Sequence, residues 1–156
     1  MKLEPGQPAP EFSLYDSEKK KNSLSEFRGS NVVLLFFPQA FSRVCTKELC
    51  SIRDSLHEYD QLNAVVIGIS VDSVYTLAKY KQVEGLNFTL LSDFNKEVSS
   101  LYGAIYETWQ LEMKGVSKRA AFVIDSQGII RYAEVLETAG DEPDYHRIRE
   151  TLNMLR

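Results

Sequence analysis

Apolar residues along this chain gather into short unbroken runs, separated by stretches in which they recur at helical spacing. Asn31 to Phe37 is apolar almost throughout, the pattern of a central strand buried on both faces, and Ala64 to Val71 repeats it. Pro38 ends the first run, and Leu49, Ile52, Leu56 and Tyr59 then predict a helix from about Val44 to Gln61. Asp72 or Ser73 caps a second helix that runs to about Glu84, and Asn95 to Tyr102 forms a short one stopped by Gly103. Ala120–Ile124 and Ile129–Val135 flank Asp125-Ser126-Gln127-Gly128, a hairpin signal. Pro143 starts a final helix whose inner face is Ile148, Leu152 and Leu155. Shorter elements fill the gaps: strands at Phe12–Tyr15 and Phe88–Leu91, a solvated turn over Asp16–Asn22, and one helical turn at Ser23–Phe27. Pro5, Pro8 and Pro10 make the first ten residues an extended lead-in. Thr108 to Ser117 has no clear period and is expected to be loop.

Strand and helix alternate, then a strand hairpin and a helix follow, which predicts an α/β domain with a central mixed sheet between helices. The order matches the thioredoxin fold with an N-terminal extension and an inserted segment around Asp93 to Tyr102. No repeat or linker divides the 156 residues, so residues 1–156 are expected to form a single domain. The net charge of −4 gives no footprint for nucleic acid or an anionic membrane. No apolar run approaches the roughly 20 residues of a membrane span, and the N-terminus lacks the apolar core of a signal peptide. A cytoplasmic protein is expected. In that compartment the two cysteines, Cys45 and Cys50, are reactive thiols, metal ligands or small core residues rather than a permanent staple. Asn87-Phe88-Thr89 matches a glycosylation pattern that carries no meaning there.

On a helical wheel with Leu49 at zero, the apolar stripe centres near about −40°, and Cys45 falls at about −40° as well. Cys45 therefore points inward, from the first turn of a helix that begins where a buried strand ends. In α/β sheets, chemistry gathers at such strand ends. Cys50 falls near about +100°, beside Arg53 and His57 on the polar flank. Five helical residues separate the two Cα atoms by about 8 to 9 Å, beyond the roughly 7 Å reach of a disulfide. An intact helix therefore keeps the thiols apart. Cys45, Cys50, His57 and His146 do not have the spacing of a zinc knuckle, so neither a metal nor a cofactor is expected, and both histidines read as surface residues.

A thiol reacts as its thiolate, and several features would favour that form at Cys45. The helix N-terminus directs unpaired amides and the positive end of its dipole at a first-turn sulfur. Ser42 offers a hydroxyl, Arg43 and Arg119 are candidate cations, and Glu48, one turn on, is placed to orient an arginine. Arg119 stands at the mouth of the Ala120–Ile124 strand, where a solvated strand end is the plainer reading; Arg43 reads equally as an exposed loop residue. Trp109, Tyr106 and Phe41 either line the approach to the thiol or simply pack beside the core.

Pro38-Gln39-Ala40-Phe41-Ser42-Arg43-Val44-Cys45 resembles the Pro-x-x-x-Thr/Ser-x-x-Cys signature of the peroxiredoxins, with Ser42 as the less common option. The likeness extends to Gly6–Phe12, Gly68–Ser73, Leu91-Ser92-Asp93 and Arg119–Asp125. The resemblance implies a peroxidase in which Cys45 is the peroxidatic cysteine and Ser42 its hydrogen-bonding hydroxyl. It makes Arg119 the residue that polarises the peroxide, Pro38 a shield for the sulfur and Glu48 a support for the network.

Cys45-Thr46-Lys47-Glu48-Leu49-Cys50 resembles the PrxQ (bacterioferritin-comigratory) subgroup, in which a cysteine five residues on is the resolving thiol. The Gly103–Gly115 region leans instead toward the one-cysteine AhpE-like group. The resemblance therefore implies reduction of hydrogen peroxide and small organic hydroperoxides through a Cys45 sulfenic acid. A Cys45–Cys50 disulfide follows, reduced by thioredoxin or a similar thiol, in a monomer or homodimer. A one-cysteine enzyme resolved by an external thiol and a peroxide-sensing interaction protein remain as alternatives.

Overall fold

The computed structural model describes residues 2–156; Met1, the first residue of the expected lead-in, lies outside them. Nine strands are present among the described residues: β1 (Ser13–Asp16), β2 (Lys21–Ser23), β3 (Asn31–Phe36), β4 (Ala64–Ser70), β5 (Thr89–Ser92), β6 (Ile105–Thr108), β7 (Lys114–Ser117), β8 (Arg119–Ile124) and β9 (Ile130–Leu136). The α-helices are α1 (Arg43–Asp54), α2 (Leu56–Gln61), α3 (Val74–Glu84), α4 (Glu97–Leu101) and α5 (Tyr145–Met154). Seven strands form one sheet in the order β2-β1-β5-β4-β3-β8-β9. β3, β4 and β5 are parallel, while β8, β9, β1 and β2 are antiparallel to their neighbours, so the sheet is mixed as expected. Among the described residues no helix is long and apolar enough to cross a membrane.

The two faces of the sheet carry separate cores, and strand parity decides which residue joins which. Val33, Leu35 and Phe37 pack with Leu49, Ile52, Tyr59, Leu77, Tyr80, Ile148 and Leu152, the inner faces of α1, α2, α3 and α5. Val32, Leu34 and Phe36 pack on the opposite face with Phe12, Leu24, Val98 and Tyr102. On β8, Ala121 and Val123 belong to the α1 face, and Ala120, Phe122 and Ile124 to the other. Arg119 shares the parity of Ala121 and Val123, so its side chain starts on the α1 face. Gly68 lets Leu90 and Phe37 pack closely on that face, since a Cβ there would sit 2.8 Å from a methyl carbon of Leu90 and 3.3 Å from the Phe37 ring.

Several expected elements settle where the pattern placed them. Ser73, rather than Asp72, caps α3, its hydroxyl accepting from the Thr76 amide, and Gly85 closes that helix in the left-handed region. The lead-in runs along the start of β9, with Pro8 bridged to Ile129, but it is not extended throughout: it turns at Pro5-Gly6, where Gly6 has φ 96° and the Gln7 amide donates back to the Glu4 carbonyl. Asp144 caps α5, so the last helix starts just after Pro143.

Two expectations are corrected. The single helix Val44–Gln61 is broken at Ser55, where φ is −111° and ψ is 9°. In a continuous helix the Arg53 carbonyl would take the amide of His57. Here it accepts from Asn87 Nδ2 at 3.3 Å instead, and the apolar stripe resumes beyond the break with Tyr59 fully buried. The expected loop Thr108–Ser117 contains β7 and pairs back on β6, with Tyr106 opposite Val116 and Thr108 opposite Lys114. Its turn places Leu111 and Glu112 at positive φ without the Gly or Asn that usually marks such a hairpin, which is why the pattern did not disclose it.

Candidate active site

β3 ends on the buried pair Phe37-Pro38, and four residues carry the chain to α1. Phe41 adopts a left-handed conformation, φ 68°, in this crossing. A non-glycine residue there is strained and must be held by its surroundings. Asp72, at the end of β4, does part of the holding: its Oδ2 accepts from the Ala40 amide at 2.8 Å and from the Ser70 hydroxyl at 2.6 Å. The sequence reading took Asp72 only as a possible helix cap. An aspartate directly after a buried strand was the available signal.

Ser42 is the N-cap of α1, and Cys45 is the third residue of its first turn, 1% exposed. The Cys45 amide is one of those left without an intrahelical acceptor. Arg119 comes to the sulfur from β8, itself 1% exposed. Both of its terminal nitrogens, Nη1 and Nη2, donate to Cys45 Sγ at 3.3 Å. Nη1 also donates to Glu48 Oε1 at 2.8 Å, and Nη2 and Nε to the Ala139 carbonyl at 2.9 and 3.3 Å. The guanidinium is therefore fixed on its far side and aimed at the thiol. Ala139 was invisible in the sequence, because a backbone carbonyl leaves no residue-type signature.

Glu48 is fully buried and its Oε2 has no hydrogen-bond partner. Burial works against both charges of this ion pair. For Arg119 the attraction of Glu48 and Cys45 outweighs it and holds the guanidinium protonated above its ordinary range. For Glu48 burial wins over the pull of Arg119, and the carboxyl is pushed up to about 7.

The other sequence candidates divide. Pro38 is buried beside the strand end. The Ser42 hydroxyl donates to the Gln39 carbonyl at 2.8 Å rather than to the sulfur. Arg43 makes no ion pair among the described residues, and with Ser42, Val44, Trp109, Gln110, Arg119, Ala139 and Gly140 it lines an open cleft of about 240 Å³. Trp109 thus borders the cleft that reaches Arg119. Tyr106 stacks on Trp109 but donates to the Glu137 carbonyl, and Phe41 lies against Tyr80. His57 and His146 are exposed, and no group of three or more potential metal ligands occurs among the described residues.

Cys50 lies on the same unbroken helix as Cys45, and both are free thiols. Cys50 occupies the polar flank beside Arg53, as the wheel placed it. It packs against α3, with Sγ donating to Glu84 Oε1 at 3.7 Å. Burial pushes the Cys50 thiol up; Arg53 opposes this and Glu84 adds to it.

Residues 5–133 match the AhpC/TSA family. A relative in Coxiella burnetii assigned to the peroxiredoxins under the name bcp is 39% identical over 132 residues, 83% of this chain and 87% of that one. The thioredoxin peroxidase of Fasciola hepatica is 34% identical over 163 residues, 98% of this chain and 79% of that one. Among solved structures, peroxidoxin BcpB of Mycobacterium tuberculosis superimposes with a TM-score of 0.87 at 30% identity, covering 99% of both chains. The chain belongs to the AhpC/TSA family and is a peroxiredoxin, an oxidoreductase with a thioredoxin-like fold, similar to members named bcp.

Proposed function

We propose that this peroxiredoxin is a single-domain thiol peroxidase, residues 1–156, that reduces hydrogen peroxide and small organic hydroperoxides with Cys45 as nucleophile. The observation that carries the reading is the placement of both Arg119 terminal nitrogens 3.3 Å from Cys45 Sγ at the start of α1. The thiolate attacks the terminal peroxide oxygen, the O–O bond breaks, and negative charge grows on the departing oxygen, which leaves as water or an alcohol after taking a proton. Cys45 becomes a sulfenic acid. Donors fixed beforehand lower the barrier because they need no reorganisation as that charge appears. Arg119 is such a donor, braced by Ala139 and Glu48, and the first-turn amides are others. Ser42 joins them by turning its hydroxyl from Gln39 toward the peroxide. Pro38 covers the sulfur from the strand side.

In the second half of the cycle Cys50 attacks the sulfenic sulfur. The S–S bond forms, the S–O bond breaks, and the hydroxyl leaves as water with the proton of Cys50. A thioredoxin-type dithiol then reduces the Cys45–Cys50 disulfide in the cytoplasm, a reductant that the name of the Fasciola hepatica relative also points to. The packing of half-buried Cys50 against Glu84 in an unbroken helix favours a second reading, in which an external thiol resolves Cys45 and Cys50 is a spectator.

Peroxide consumption with thioredoxin as electron donor tests both. Cys45→Ser should lose activity to background, and retention of activity by that variant sinks the proposal. Mass spectrometry of the peroxide-treated protein separates the two readings. An intramolecular disulfide assigns resolution to Cys50; a Cys45 sulfinic acid beside a free Cys50 assigns it to an outside thiol.

A further inference from the structure

Cys50 shares one face of α1 with Thr46 and Arg53, four residues before it and three after. All three are bonded to α3, the first two across to residues one turn apart. Thr46 Oγ1 and Tyr80 Oη are 2.9 Å apart, Cys50 Sγ donates to Glu84 Oε1 at 3.7 Å, and Arg53 Nη1 donates to the Glu84 carbonyl at 2.5 Å. Asn87, just beyond α3, donates back to the Arg53 carbonyl at 3.3 Å. A polar seam thus runs between α1 and α3, outside the Arg119 site and unused by the chemistry at Cys45.

We propose that Tyr80 and Glu84 form a latch on α1, positioning residues that hold the Cys50 segment helical and docked and so set how fast Cys50 resolves an oxidised Cys45. This rests on the reading of Cys50 as the resolving thiol. Helical geometry keeps the two sulfurs on different sides of α1 and their Cα atoms about 8 Å apart, so the helix must open between them. Opening that segment breaks the Thr46–Tyr80 and Cys50–Glu84 contacts. The Arg53–Glu84 and Asn87–Arg53 bonds lie beyond Cys50 and can survive, leaving the end of α1 anchored while its first turns unwind. Glu84 acts twice: its carboxylate receives the Cys50 S–H, and its negative charge disfavours the Cys50 thiolate that would attack.

The test is a comparison of single turnovers in wild type, Tyr80→Phe and Glu84→Gln, with Thr46→Val opening the first contact from the other side. Rapid mixing with one equivalent of hydrogen peroxide, timed alkylation of free thiols and mass spectrometry give the rate of Cys45 oxidation and the rate of disulfide formation separately. Tyr80→Phe and Thr46→Val should each speed disulfide formation about threefold to tenfold, as expected for removing one partly buried hydrogen bond from the closed state, and Glu84→Gln, which keeps an acceptor but removes the charge, should also speed it, with Cys45 oxidation unchanged in all three. Sulfinic acid at excess peroxide should fall in parallel. If wild type forms no Cys45–Cys50 disulfide, the resolving role of Cys50 fails and the latch with it. If wild type forms the disulfide and the variants resolve at its rate or more slowly, the latch alone is overturned.

Discussion

The two cysteines of α1 stand five residues apart on one helix, and the groups that meet their sulfurs are different. Cys45 lies in the first turn, buried, with amides left unpaired and a guanidinium 3.3 Å from its sulfur through two nitrogens. Cys50 lies mid-helix, where its own amide is bonded within the turn, and its sulfur faces a carboxylate 3.7 Å away. Composition and helix propensity do not distinguish these positions. The sheet and the neighbouring helix do, β8 bringing a guanidinium that donates to one thiol and α3 a carboxylate that accepts from the other. Reactivity in this segment is therefore a tertiary property laid over a regular helix.

The sharpest way to break this contrast is to remove the cation. Arg119→Met should keep the strand and much of the packing while deleting every donor that Arg119 offers to the thiol. The rate constant for Cys45 with hydrogen peroxide is expected to fall about 10²- to 10³-fold, the usual cost of losing a preorganised donor. Arg119→Lys should recover little of it, because an ammonium cannot reach Cys45, Glu48 and Ala139 together as the planar fork does. Stopped-flow measurement under excess peroxide checks this, and a loss smaller than about threefold would remove Arg119 from the chemistry.

What the sequence disclosed of this contrast follows from distance along the chain. The runs at Asn31–Phe37, Ala64–Val71 and Ala120–Ile124 read correctly because central strands are buried on both faces and must be apolar throughout. The inward direction of Cys45 was legible because a helix fixes direction by residue count alone. Arg119 was visible as a charge at a strand mouth, but its aim depends on the pairing of Phe36 with Ala120, a register that no local pattern states. Glu84, Asn87 and Ala139 were missed for the same reason. Each meets α1 or Arg119 from 20 to 34 positions away in sequence, through a contact that its own neighbours do not hint at. The break at Ser55 belongs with them, since the carbonyl it frees at Arg53 is taken by Asn87.

A second, smaller effect concerns the charge balance at the Cys45 end, where one buried arginine serves two acids. The Glu48 carboxyl is pushed up to about 7 by burial, against an ordinary value of 4.5. Cys45 and Arg119 face it, as do Glu142 from the loop before α5, Tyr145 from the start of α5, Glu134 from β9 and Tyr59 from α2. A raised folded-state value means that the native protein holds this proton more tightly than the unfolded chain does. The corresponding stability is fully present below about pH 4.5 and is lost as the pH rises toward 7, by about 3 kcal/mol over that window. Glu48→Gln keeps an acceptor for Arg119 and cannot titrate. Urea unfolding across pH 4 to 8 should therefore show a weaker decline in the variant than in wild type. Parallel curves would mean that Glu48 titrates alike in the folded and the unfolded chain, the arginine offsetting its burial.

The smallest expected effect falls on Ser42, and it sharpens the contrast rather than breaking it. Its hydroxyl is spent on the Gln39 carbonyl at 2.8 Å, so a role in the reaction requires it to rotate, whereas Arg119 is already in place. A donor that must first give up a hydrogen bond contributes less to the barrier than one held in position. Ser42→Ala should lower the peroxide rate about threefold to tenfold and cost about 1 kcal/mol of stability. Ser42→Thr, which retains a hydroxyl, should restore most of the rate. If instead Ser42→Ala were as damaging as Arg119→Met, the hydroxyl would be the principal donor to the departing oxygen. The Cys45 end of α1 would then owe its reactivity to the loop that enters the helix rather than to the strand that faces it.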